Sequence, residues 1–284
     1  MAGTGNNRNN YALAQNPPIN PITMSETSPI PTSTPGAVLI TGASSGIGEA
    51  LARDYAEPGR FMALSGRDGA RLQTVAGACR NFGAEVNAET VDVADRDATA
   101  RWIEAVDASH PLDLVIANAG ISAGTGGRGE SESQARDIFA VNLAGVLNTV
   151  WPAMTAMRGR GRGQIAIISS IAGFRGLPGT PAYSASKAAS KAYGEALRGW
   201  LAADGIKVSV VCPGFVRTRM TDKNPYPMPF LMDADKAAAI IRRGLERNKA
   251  RIVFPWPMAV AAWLLGALPP AWTDPLLMRS PKKD

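Results

Sequence analysis

One histidine, His110, and two cysteines, Cys79 and Cys212, are the whole supply of imidazole and thiol in a chain of 284 residues. Two thiols argue against a disulfide framework. So small a set also argues against histidine-based triads and structural zinc, and no metal site is expected. Charge is modest, with a formal net value of +6. No basic stretch is interleaved with aromatic residues, so no nucleic-acid partner is expected. Residues 1–35 lack any periodic apolar face and any apolar core of the kind a secretory signal needs. Six asparagines fall in the first twenty positions, and prolines follow at 17, 18, 21, 29, 31 and 35, which predicts a disordered extension. Near the other end, Ile252–Trp272 lacks charge altogether.

Between these ends apolar strands alternate with helical stretches. Strands are predicted at Ala37–Thr41, Phe61–Ser65, Glu85–Val91, Leu112–Ala117, Gln164–Ser169, Lys207–Cys212 and Arg251–Phe254. Helices are predicted at about 46–56, 70–81, 97–108, 133–158, 182–203 and 234–247. That alternation implies an α/β fold with a doubly wound parallel sheet of about seven strands, helices on both faces, and one domain over 36–254. Right-handed crossovers place the loops after the strands along one edge, where ligands bind in such sheets.

Two local patterns fall on that edge. Val38-Leu-Ile-Thr-Gly-Ala-Ser-Ser-Gly-Ile-Gly48 is an apolar strand running into a glycine-rich turn and then an amphipathic helix. Glycines at 42, 46 and 48 allow a tight turn and a close approach to a pyrophosphate, with amides at the helix start facing the anion. Further on, Tyr183 and Lys187 stand four residues apart, on one face of a helix. Free tyrosine titrates near pH ~10, and a neighbouring positive charge favours its phenolate. The pair is therefore a general acid/base suited to interconverting carbonyls and alcohols.

The chain resembles the short-chain dehydrogenase/reductase family over about residues 36 to 254, through six motifs in order. Thr41-Gly-Ala-Ser-Ser-Gly-Ile-Gly48 is similar to the family's cofactor turn, which implicates Thr41, Gly42, Ser44, Ser45, Gly46, Ile47 and Gly48. Asp92-Val93 resembles the pair that touches the adenine, and Asn118-Ala119-Gly120 the motif closing the fourth strand. Asn142 resembles the family's helix asparagine. Ser170, thirteen residues before Tyr183, stands where the catalytic serine stands. Pro213-Gly-Phe-Val-Arg-Thr218 resembles the loop holding the nicotinamide carboxamide, which implicates Pro213, Gly214, Val216 and Thr218. The resemblance implies hydride transfer between a nicotinamide and a carbonyl or secondary alcohol. It makes Tyr183 the proton donor or acceptor and has Lys187 tune Tyr183 and hold the nicotinamide ribose. Ser170 then positions the substrate oxygen, and Asn142 anchors a water leading to Lys187. A homodimer or homotetramer is expected. The rival reading is a non-catalytic dinucleotide-binding regulator, which the intact Asn142, Ser170, Tyr183 and Lys187 set disfavours.

The second strand ends in Ser65-Gly66-Arg67-Asp68. NAD enzymes usually carry an acid at this tip for the ribose 2′-hydroxyl. Arg67 instead offers a fork of donors to a 2′-phosphate, so NADP(H) is expected over NAD(H). Asp68 is placed one step further on, as a cap of the next helix. Two loops, Ile121–Gln134 and Thr218–Met232, are expected to shape the substrate pocket. The second carries Met220, Tyr226, Met228, Phe230, Leu231 and Met232, which points to a hydrophobic carbonyl compound. In the tail, 255–284, prolines at 255, 257, 269 and 270 confine helix to Met258–Leu268, too short to span a bilayer. Trp256, Trp263 and Trp272 are expected to pack on a partner subunit or over the pocket, with peripheral membrane contact as the second reading. A cytoplasmic enzyme is expected on either reading.

Overall fold

The computed structural model describes residues 36–122, 130–222, 224 and 227–278. The expected extension over 1–35 lies outside the described residues, as does the middle of the Ile121–Gln134 loop. Seven strands form the sheet: β1 Ala37–Ile40, β2 Phe61–Ser65, β3 Glu85–Glu89, β4 Leu114–Ala117, β5 Gly163–Ile168, β6 Ile206–Pro213 and β7 Arg251–Phe254. Their order is β3-β2-β1-β4-β5-β6-β7, and every pairing is parallel. The chain builds outward from β1 to β3, then crosses back to lay β4 beside β1. That reversal leaves a crevice beyond the carboxyl ends of β1 and β4.

Burial explains the sequence pattern. Strands β1, β2 and β4 are buried along their whole length, because helices cover both faces. Alternate residues of β1 enter different cores. Val38 and Ile40 pack with Leu51 and Tyr55 of α1 (Gly46–Tyr55), Leu72 of α2 (Gly69–Asn81) and Ile241 of α7 (Ala234–Glu246). Ala37 and Leu39 pack with Ile103 of α3 (Arg96–Ser109), and with Val150 and Met154 of α5 (Gly145–Arg160). Leu197 of α6 (Pro181–Trp200) joins that second core. The edge strand β3 alternates exposed and half-buried residues, as expected of a strand with one neighbour.

Three features depart from the expected elements. The predicted helix 133–158 is α4 (Glu132–Phe139) and α5 joined by one wide π turn, Ala140–Ala144, which contains Asn142. A short 3₁₀ turn, Ile171–Gly173, follows β5. The tail holds two helices rather than one: α8 at Trp256–Ala267 and α9 at Pro270–Leu277. The prolines at 257 and 270 do not stop these helices. Both positions lie in a first helical turn, where the missing N–H has no partner to lose.

Candidate active site

The crevice is a cleft of about 780 Å³, within the range of small-molecule and cofactor sites. Its floor is set by close backbone approach. Gly42 has φ +67°, and a Cβ there would stand 2.8 Å from Ala119 Cα. A Cβ on Gly48 would stand 2.3 Å from the Gly42 carbonyl oxygen. The turn can therefore lie flat against the end of β4 only as glycine. Thr41 and Asn118 lock it there. The amides of Asn118 and Ala119 donate to Thr41 Oγ1 at 3.1 and 3.2 Å. Asn118 Nδ2 donates back to the carbonyls of Thr41 and Gly42 at 2.9 and 3.2 Å.

Most residues expected to bind cofactor line this cleft: Gly42, Ser44, Ser45, Gly46, Ile47, Arg67, Asp92, Val93, Asn118, Ala119 and Gly120. Pro213, Gly214, Val216 and Thr218 line it from the β6 side, with Ser170, Tyr183 and Lys187 between the two groups. Thr41, Gly48 and Asn142 do not line it; they shape it from behind. Asn142 is fully buried. Its amide nitrogen donates to the Ile121 carbonyl at 2.9 Å and to Ser186 Oγ at 3.2 Å, and its Oδ1 accepts from the Ile121 amide at 2.8 Å. The π turn places the side chain for this exchange and so fixes the start of the loop after β4.

Lys187 lies one turn along α6 from Tyr183, with Nζ 5.9 Å from the Tyr183 ring centroid. It is buried, and Nζ donates to the Ile168 carbonyl at 2.9 Å. No carboxylate pairs with it among the described residues. Burial pushes its ammonium down to about 8, slightly opposed by nearby Cys212. Neighbouring Ser169 donates to the Lys187 carbonyl at 2.7 Å and ties α6 to β5. Ser170 caps the 3₁₀ turn by accepting from the Ala172 amide at 3.1 Å. That bond occupies a lone pair and not the hydroxyl proton. A buried cation, a phenol and a hydroxyl thus converge on one end of the cleft.

The other end, beyond β2, carries two arginines, Arg67 and Arg71, among the aspartates Asp68 and Asp92. Arg67 is exposed and lines it. Asp68 caps α2, as expected, by accepting from the Arg71 amide at 3.0 Å. It also binds the Arg71 guanidinium at 2.7 Å. Arg71 lines the cleft too and was not singled out from sequence. The signal was there: Asp68 and Arg71 are three apart at a helix start, a spacing that pairs side chains. The glycine cradle, the arginines beyond β2 and the buried cation together fit a nicotinamide dinucleotide.

Of the second expected substrate loop, Met220 lines the cleft. Met232 instead forms a bridge with Val216 and packs on the core, while Phe230 is exposed. Tyr226 lies outside the described residues.

Comparison with known proteins agrees with this geometry. The family model for short chain dehydrogenases matches residues 36–227. An uncharacterized oxidoreductase of Myxococcus xanthus is 39% identical over 81% of this chain and 92% of its own. One from Mycobacterium tuberculosis is 35% identical over 83% of this chain and 95% of its own. Among solved structures, a short-chain dehydrogenase of Sphingobium yanoikuyae in complex with NADPH superimposes with a TM-score of 0.71 at 25% identity, covering 87% of this chain and 97% of that one.

Proposed function

The chain belongs to the short-chain dehydrogenase/reductase family of NAD(P)-dependent oxidoreductases, and from that premise we propose that it reduces apolar carbonyl compounds, or oxidises the matching secondary alcohols, with NADP(H). The observation that carries the cofactor choice is the Arg67–Asp68–Arg71 corner. Asp68, the acid at the tip of β2, is engaged as a helix cap and as the partner of Arg71. The guanidiniums of Arg67 and Arg71 line that end of the cleft, and their donor forks would suit a 2′-phosphate.

A bound nicotinamide supplies or takes the hydride. The protein's own groups do the rest. Tyr183 exchanges the proton of the substrate oxygen, Ser170 donates a hydrogen bond that orients that oxygen, and Lys187 presents its ammonium to the ribose side. Asn142 holds the Ile121 backbone, and with it the wall facing Lys187. Met220 supports an apolar substrate, because its thioether adapts to varied shapes.

A panel of aldehydes, ketones and secondary alcohols, run with both cofactors and followed at the nicotinamide absorbance, tests the whole reading. NADPH should support turnover better than NADH. Arg67→Ala should weaken NADPH binding about ten- to a hundredfold, the worth of one charge-assisted hydrogen bond, and leave NADH nearly unchanged. Equal losses for both cofactors would overturn the assignment.

A further inference from the structure

Helix α8, Trp-Pro-Met-Ala-Val-Ala-Ala-Trp-Leu-Leu-Gly-Ala over Trp256–Ala267, is apolar on every side, yet none of its twelve residues is buried. A helix apolar all round belongs in a core or in lipid. The continuous helical stretch Glu132–Arg160 is also long and apolar, but half of its most apolar window is buried in the fold. Helix α8 has no such cover. Trp256 is 77% exposed, Trp263 58%, and Trp272, on α9, 74%. Leu264, Leu268 and Leu276 are exposed beside them. A protein partner would cover one side of such a helix and would meet a polar rim. Within the stretch itself no charged residue occurs from Ile252 to Thr273, so α8 turns no charged face of its own to water.

We propose that α8 and α9 dock the enzyme on an anionic lipid surface, with the catalytic cleft beside the contact. Three lines meet in this assignment. At about 18 Å, α8 is too short to cross a hydrocarbon core of ~30 Å, so it lies in the interface. Tryptophan is the side chain favoured at that depth. The sequence after α9 adds Arg279, Lys282 and Lys283 against Asp284, a basic run that suits anionic headgroups.

Placement links the surface to the chemistry. Met258 Sδ lies 3.0 Å from where a Cβ on cleft-lining Gly214 would stand. A methyl group on Gly266 would meet the Phe174 carbonyl oxygen at 2.5 Å, directly after the turn that Ser170 caps. Helix α9 is tied to the same segment, because Arg175 donates to Asp274 at 2.6 Å and to Thr273 at 3.3 Å. The apolar surface therefore adjoins the mouth of the site, and an apolar carbonyl dissolved in the bilayer reaches it without crossing water. This last step rests on the substrate class proposed above; the docking does not.

The test uses the full chain and two variants, Trp263→Glu and Trp272→Glu, both at exposed positions. Vesicles of neutral phospholipid, with and without anionic phospholipid, are floated with each protein. Tryptophan quenching by lipids brominated near the headgroup end is read in parallel. The unmodified chain should float with the anionic vesicles, be quenched, and be released by salt. Each variant should bind at least about tenfold more weakly, the cost of losing one large buried side chain. NADPH binding serves as the check that both variants fold. A full chain that stays off every vesicle overturns the docking. So does one that sediments as an oligomer broken by Trp263→Glu, since a second copy then covers the face. If docking holds, the variants should lose rate on a ketone carried in vesicles but keep their rate on a water-soluble one. Equal losses on both would refute the bilayer route and leave the docking standing.

Discussion

The cofactor end of the cleft and the C-terminal tail both use apolar and small side chains, but to opposite effect. At the cofactor end glycines bring backbones together, Gly42 against Ala119 and Gly48 against Gly42. Polar groups there are tied into bonds, as with Thr41 and Asn118. In the tail many of the apolar side chains face outward, the three tryptophans and Leu264, Leu268 and Leu276 among them. One region stores its function in enclosure, the other in exposure. Substitutions at the first should therefore damage binding or chemistry sharply, and substitutions at the second should leave both nearly intact in water.

The largest effect should come from Tyr183→Phe. It removes the transferable proton and keeps the ring, so turnover should fall by ~10²–10⁴-fold, the usual worth of general acid/base catalysis. Cofactor affinity, read by quenching of protein fluorescence, should hardly move. Near-normal turnover would remove Tyr183 from the mechanism.

Next in size is a stability gain. Lys187 is buried with its ammonium lowered from an ordinary 10.5 to about 8. The folded state thus disfavours the charge, while the unfolded chain does not. Below pH 8 both states hold the proton and the cost is complete. It fades between about pH 8 and 10.5, where only the unfolded chain stays protonated. A shift of that size corresponds to roughly 3 kcal/mol. Lys187→Met, similar in volume and uncharged, should stabilise the cofactor-free protein by up to about that much at neutral pH. The gain should shrink toward pH 10, and activity should be lost throughout. Urea unfolding across that pH range reads the difference, and a variant less stable than the parent at pH 7 would contradict it.

Third is Gly48→Ala. Its Cβ cannot coexist with the Gly42 carbonyl, so the turn must shift. Overpacking of this kind costs about 1–3 kcal/mol, and the loss should appear as weakened binding of NADPH and NADH alike. That symmetry separates it from Arg67→Ala, which should affect only NADPH.

The sheet and the glycine turn were legible because both rest on short-range patterns, while most of the rest of the cleft lining was legible through the family resemblance. Period-two and buried apolar runs mark strands, and glycines at 42, 46 and 48 mark a turn that other residues cannot form. Asn142 was visible as a motif residue, but its π turn was not. That geometry depends on the Ile121 backbone, twenty-one residues away in the chain. Arg71 paired with Asp68 by spacing, but that the pair lines the cleft emerges only once α2 is set against β2. Helix α9 was missed because Pro269 and Pro270 read as terminators, while the second of them in fact opens a helix. The exposure of Trp256, Trp263 and Trp272 could not be read at all, since the same letters suit a core, a subunit contact or a lipid surface.

The smallest effect should be at the joint between the two regions. Arg175→Ala removes the bond to Asp274, whose side chain is 52% exposed while that of Arg175 is 19% exposed. Ion pairs open to solvent contribute at most about 1 kcal/mol, so global stability should change little. Local stability should change more, because α9 is otherwise held by few groups, chiefly buried Thr273 and Leu277. Hydrogen exchange should quicken across α9 and stay unchanged in α1, which is anchored in the core by Leu51 and Tyr55. If α9 exchange does not move, Thr273 and Leu277 hold the helix without the ion pair. The contrast between an enclosed and an exposed region would then run through the loop after β5 with no mechanical link between them.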